Sequence, residues 1–122
     1  MATIPSRKRH APLTAAQLEA IARRFRTLGV ASRLRVLDAL MAGPLSMSDL
    51  ATATGLSQSN LSRQVTELEQ NGCVTRERQG REVQVGIADP TLKKLCELVC
   101  GSLEQRASEA RASLRRPKAR TR

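Results

Sequence analysis

Aromatic side chains are almost missing from this sequence: Phe25 stands alone, with no tryptophan and no tyrosine. Modules that read single strands or RNA loops stack bases on aromatic faces, so the composition speaks against them. Histidine is nearly absent too. His10 is the single one, and a Ser-His-Asp set built on a residue so near the N-terminus is not credible. The sequence holds no Gly-rich phosphate loop of either common spacing and no CxxC pair, and its carboxylates are scattered. An enzyme is therefore not expected. Three cysteines make an odd set, which fits reduced thiols better than a disulfide framework. No apolar run suits a signal peptide or a bilayer crossing, so the chain is expected to stay in the cytoplasm and away from membranes.

What is present is basic charge, and its position matters. The 122 residues carry a net charge of +10. Residues 1–12 and 111–122 hold nine of the 21 Lys and Arg and no acid, so 12 basic groups face all 11 acidic ones in the middle, a balance of +1. The basicity lies in the ends. Such ends suit polyanions without specifying a sequence, or serve as disordered solubilising segments. Residues 1–12 are expected as a disordered basic arm, 13–114 as one domain, and 115–122 as a disordered basic tail.

The middle is organised around Ser46 to Gly72, which reads as two helices and a tight turn. Ser46 caps the first helix, with Asp49 in its first turn. Gly55 stops that helix where the backbone must turn left-handed. Ala51, four residues earlier, allows two helices to cross closely. Ser57 caps a second helix to Asn71, with Gly72 as its stop. Leu61, Val65 and Leu68 form the apolar stripe of that helix. Its other face is Ser57, Gln58, Ser59, Asn60, Ser62, Arg63, Gln64 and Thr66, with no carboxylate before Glu67. Short polar side chains and one guanidinium suit the edges of bases in the major groove of duplex DNA.

Upstream, Thr14 caps a helix through about Leu28, with Leu18, Ile21, Phe25 and Leu28 at helical spacing. A second helix covers about Ser32 to Met41; Leu34, Leu37, Leu40 and Met41 are expected inside, Arg33 and Arg35 outside. Gly43-Pro44 ends it. After Gly72 the period shifts toward two. Cys73–Gln79 and Glu82–Ala88 read as a β-hairpin. A Gln79-Gly80 loop would set Arg78 against Arg81 and Glu77 against Glu82, so a Gly80-Arg81 loop or a three-residue loop is favoured. The tip is expected to present Arg76, Arg78, Gln79 and Arg81, either as a wing gripping phosphates or the minor groove, or as solubilising charge. Asp89-Pro90 opens a last helix to about Leu114, with Leu92, Leu95, Cys96, Val99, Leu103, Ala107 and Ala110 as its stripe. About 25 residues is longer than so small a domain needs, which suggests a partner helix, most simply that of a second copy, with the first helix as the other candidate.

These elements give a mainly α fold with a small β-hairpin: a winged helix-turn-helix of five helices, dimerising through the first and last. The sequence resembles the ArsR (arsenic-repressor) family of bacterial transcriptional regulators. The resemblance rests on L-G-V-A-S-R-L-R-V-L-D-A-L, on D-L-A-T-A-T-G-L-S-Q-S-N-L-S-R-Q-V-T-E-L-E-Q-N-G-C-V and on R-Q-G-R-E-V-Q-V-G-I-A-D-P. It implies a homodimer on an inverted-repeat operator that represses until an effector binds. Recognition positions then fall on Ser57 to Gln64 and the wing on Arg76 to Glu82. Many members have histidine where this chain has Gln64, and aromatics where it has Gln84 and Val85.

The resemblance also implies an effector. Many members bind metals through a cysteine pair at the start of the first helix of the helix-turn-helix, where this chain has Leu45-Ser-Met-Ser-Asp-Leu. Others use Asp and His on the last helix, which here has no histidine. Cys96 and Cys100 remain, four apart on one helical face with about 6 Å between Cβ atoms. They suit As(III) or another thiophilic ion, or a reactive sulfur species or oxidant; equally, they suit simple packing. Cys73 reads as core. A DNA-coating protein driven by its basic ends, a repressor of this family without thiol sensing, and a protein-binding adaptor are the competing functions.

Overall fold

In a computed structural model of the chain, residues 11–114 are described; the expected arm through residue 10 and the tail from residue 115 lie outside them. Helix α1 (Ala15–Leu28) starts on Thr14. The Thr14 hydroxyl accepts the Gln17 N–H at 3.1 Å, and Gln17 Oε1 accepts the Thr14 N–H at 2.9 Å. This reciprocal pair satisfies donors that a helix start leaves unpaired. Helix α2 (Ala31–Ala39) follows after two residues. Strand β1 (Leu45–Ser46) leads directly into α3 (Met47–Thr54), and α4 (Gln58–Gln70) completes the helix-turn-helix. Strands β2 (Val74–Gln79) and β3 (Glu82–Ile87) form the wing, and α5 (Thr91–Leu114) closes the domain.

Both helices of the helix-turn-helix start as their serines dictate. Ser46 Oγ accepts the Asp49 N–H at 3.1 Å, and Ser57 Oγ accepts the Asn60 N–H at 3.2 Å. Gly55 ends α3 with φ 71° and donates its N–H to Ala51 O at 2.9 Å. A Cβ at Gly55 would meet nothing within 4 Å, so only its backbone conformation opposes replacement. Gly55→Val should therefore cost about 1–2 kcal/mol of left-handed strain. The thermal midpoint should drop by roughly 5–10 °C. An unchanged melting curve would refute this.

The hairpin turns on Gly80-Arg81, with Gln79 paired to Glu82, Arg78 to Val83 and Glu77 to Gln84. Like charges thus avoid direct opposition, and of the two loops that the charges allow the chain adopts Gly80-Arg81. The sheet has a third strand that the hairpin reading lacked. β1 pairs antiparallel with β3, Leu45 against Val85 and Ser46 against Gln84, giving the order β1-β3-β2. Two residues are too few to show alternation, so β1 left no periodic signal. Gly86 gives Pro44 room beside the sheet: a Cβ there would lie 3.4 Å from the proline ring.

The core gathers Leu28, Val36, Leu37, Leu40, Leu50, Leu61, Val65, Leu68, Cys73, Val74, Val85 and Leu92. The inner face of α2 differs from expectation. Val36 is fully buried, whereas Leu34 is 40% exposed and turned toward a groove beside α5. Most of the α1 stripe is also uncovered: Leu28 is buried, but Leu18 and Phe25 are 54% and 55% exposed. On α5 only Leu92 is buried, with Leu95 and Cys96 half-buried and Leu98, Val99 and Leu103 open.

Asp89 ties the two terminal helices together. Its Oδ1 accepts the Thr91 hydroxyl and backbone N–H, and its Oδ2 lies 3.4 Å from Arg24 of α1. The Thr91 hydrogen bonds, then Arg24, hold the Asp89 carboxyl below its ordinary value.

Candidate nucleic-acid interface and thiol groove

Burial of Leu61, Val65 and Leu68 fixes which side of α4 faces outward. Ser57, Gln58, Ser59, Ser62 and Arg63 are exposed on it; Asn60 and Gln64 are half-buried at its edge. No negative charge competes with a polyanion there before Glu67. Five of the eight polar positions expected on this face are thus exposed, and Asn60, Gln64 and Thr66 are half-buried.

Asn60 and Gln64 are also linked to the rest of the domain. Arg33 of α2 was expected to face outward, but it is half-buried and committed. Its Nη1 donates to Thr27 O of α1 and its Nε to Gln64 Oε1, both at 3.1 Å. Gln64 Nε2 then donates to Asn60 Oδ1 at 2.9 Å. Arg33 and Gln64 are 31 residues apart, and no sequence pattern announced the pair.

The wing divides its arginines. Arg78, Gln79 and Arg81 are exposed at the hairpin end. Arg76 is not at the tip, contrary to expectation. It lies opposite Val85 in mid-strand and folds back onto α4, donating Nη2 to Thr66 Oγ1 at 2.6 Å and Nε to Glu69 Oε1 at 3.0 Å. Register explains this: a β2 side chain opposite Val85, four residues before Gly80, sits over α4. Arg76 therefore bridges the wing and α4. Arg76→Ala should cost about 1 kcal/mol in urea unfolding, given a partly exposed, charge-assisted contact. A loss below the error of the measurement would show that the pair contributes nothing.

Cys96 and Cys100 line one open groove of about 610 Å³ between α5 and the α1–α2 corner. Phe25, Leu34, Met41, Leu95, Val99 and Leu103 supply most of its walls. Burial, then the carboxylates of Asp38 and Glu97, pushes the Cys96 thiol up from its ordinary value. Cys73 does not join them: it is fully buried, and its Sγ donates to Asn71 O at 3.7 Å. Its thiol is likewise raised, chiefly by burial. Among the described residues no three His, Cys, Asp or Glu side chains converge to hold a metal ion. Cys96, half-buried, and Cys100, exposed, are thus the two thiols that share this groove. No described helix is long and apolar enough to cross a membrane.

Comparison with known proteins places this architecture. A model of the MarR family matches residues 28–82, the span from the end of α1 to the wing turn. The HTH-type transcriptional regulator NmtR of Mycobacterium tuberculosis (strain ATCC 25618 / H37Rv) is 34% identical over 87 residues, covering 71% of this chain and 72% of the relative. The crystal structure of the AntR antimony-specific transcriptional repressor superposes with TM-score 0.77 at 28% identity, over 88% of this chain and 98% of that one. The homodimeric winged helix-turn-helix DNA-binding domain of a possible ArsR-family regulator from Mycobacterium bovis gives TM-score 0.68 at 30% identity, over 86% and 92%. A helix-turn-helix with a wing over the flank of α4, together with these likenesses and 34% identity over 89 residues to a transcriptional repressor SmtB homolog of Synechocystis sp., has one reading: the chain belongs to the ArsR/SmtB family of winged helix-turn-helix, DNA-binding transcriptional regulators.

Proposed function

We propose that the chain is a homodimeric repressor that reads an operator with the Ser57–Gln64 face of α4, grips the flanking backbone with Arg78 and Arg81, and lets go when a thiophilic effector joins Cys96 and Cys100. The observation that carries the DNA-reading part is the solvent-open, carboxylate-free face of α4 beside a wing with an arginine tip. Among its residues Arg63 is suited to the guanine edge. The homodimer rests on the uncovered stripes of α1 and α5, and on the M. bovis domain being homodimeric.

The experiment is operator selection from a random duplex library, then affinity for the selected duplex and a scrambled one. A repressor keeps its preference after residues 1–12 and 115–122 are removed, because base contacts carry discrimination. A DNA-coating protein driven by its basic ends loses nearly all binding.

For the effector, an As(III)-like ion is favoured over an oxidant. Arsenous acid condenses with two thiols, forming two As–S bonds and releasing two waters, with no change of oxidation state. Oxidation starts from the thiolate, and burial with the nearby Asp38 and Glu97 carboxylates disfavours that form of Cys96. A direct Cys96–Cys100 disulfide is opposed by geometry. Helical positions four apart hold Cβ atoms about 6 Å apart, against roughly 3.5–4.5 Å in a disulfide. The antimony specificity of AntR, a structural relative, points to the same class of ion. Cys96→Ser and Cys100→Ser should each bind operator normally and resist release by arsenite. Release as in the wild type would leave the two cysteines as packing only.

A further inference from the structure

The Arg33–Gln64–Asn60 chain has a direction. A guanidinium carries donors only. The Gln64 atom facing Arg33 must therefore be its amide oxygen, which leaves its amide nitrogen to face Asn60. That nitrogen only donates, so the Asn60 atom answering it must be Oδ1. Asn60 Nδ2 is then the free end of the amide, with no protein acceptor among the described residues. Asn60 lies in the first turn of α4, where its own N–H is held by Ser57 Oγ, and it keeps partial exposure on the outward face.

We propose that Arg33 and Gln64 are positioning residues that fix Asn60 as a hydrogen-bond donor toward guanine in the operator. A free asparagine can rotate its amide and read adenine with one acceptor and one donor. Here Oδ1 already accepts from Gln64 while Nδ2 is uncommitted, so the donor is the freer end of the amide. Guanine offers two acceptors, N7 and O6, on its major-groove edge; thymine offers one, O4, beside a methyl group; cytosine offers a donor, and adenine pairs one acceptor with a donor, so guanine is the base that can engage both amide hydrogens. The far end of the chain is Thr27 O in the last turn of α1, so the amide is set by the scaffold rather than by α4 alone. This inference rests on the reading of α4 as the recognition helix.

The test is library selection with full-length wild type, Asn60→Ala, Gln64→Glu and Arg33→Lys. Asn60→Ala should flatten a guanine preference at one position of each half-site, by roughly tenfold. Gln64→Glu turns two acceptor oxygens toward Arg33 and Asn60, so the Asn60 amide must rotate and present Oδ1. Its preference at that position should move to a base with an exposed donor, cytosine or adenine. Added negative charge will weaken overall binding, so the base ratio is the readout. Arg33→Lys reaches one partner instead of two; its preference at that position should weaken while affinity for scrambled duplex stays unchanged.

Retention of the wild-type base by Gln64→Glu would overturn the proposal, as would a wild-type preference in Asn60→Ala. So would an equal loss by Arg33→Lys on selected and scrambled duplexes, the mark of a phosphate contact. Should Gln64→Glu fail to fold by circular dichroism, Arg33→Lys decides alone. A wild type that enriches no sequence would overturn the repressor reading itself, and this inference with it; enrichment with unaltered variants overturns this inference only.

Discussion

Leu103→Glu should give a folded monomer that no longer holds its operator. Leu103 is 61% exposed in the single chain, so a carboxylate there disturbs no core contact. It lies in the α5 stripe with Val99, across the thiol groove from Phe25 of α1. In the proposed two-fold dimer these faces would close on each other, and each Glu would be buried without a partner. Operator binding then falls to what one half-site supports. Linking two half-sites raises overall affinity by about 10²–10⁴, and that factor should vanish. Sedimentation gives the mass, fluorescence anisotropy the affinity, and melting shows whether the domain survives. A Leu103→Glu protein that remains dimeric would move the interface elsewhere. A monomer with wild-type operator affinity would remove the need for one.

Leu61→Ala should have the largest effect on stability. Leu61 is 1% exposed and belongs to the stripe that seats α4 on the core. Truncating a buried leucine costs about 2–5 kcal/mol, from lost burial and from the cavity left behind. Small domains hold only about 5–15 kcal/mol in total. Urea unfolding at fixed protein concentration should show the midpoint falling steeply. Operator affinity should drop as well, because the polar face of α4 is aimed by this contact. A loss below about 1 kcal/mol would mean that the site collapses without a cavity, which the close packing of protein interiors opposes. Comparison with Arg63→Ala separates the two roles of α4: that exposed residue should weaken operator binding and leave melting unchanged.

Much of this architecture was written locally. Thr14, Ser46 and Ser57 announce helix starts because each hydroxyl needs only a backbone N–H three residues on. Gly55 announces the stop of α3 because left-handed backbone favours glycine. The hairpin register followed from a rule about opposed charges. The errors lie where a side chain found a distant partner. Leu34 left the expected inner face, and Val36, which that face did not include, is buried, because α1 and α5 leave a groove on one side of α2. Arg76 left the wing tip for Thr66 and Glu69, a choice made by the angle at which the hairpin leaves α4.

By itself, then, the amino-acid order determined the helix ends, the turns and the outward polar face of α4, since caps, periodicity and backbone strain act within a few residues. Only the tertiary structure decided which polar groups on that face are already engaged and which way the Asn60 amide points. It also brought Cys96 and Cys100 into a shared groove with α1 and α2. Those outcomes depend on partners 31 residues apart for Arg33 and Gln64 and farther apart across the groove, where long side chains have many reachable neighbours and packing alone selects one.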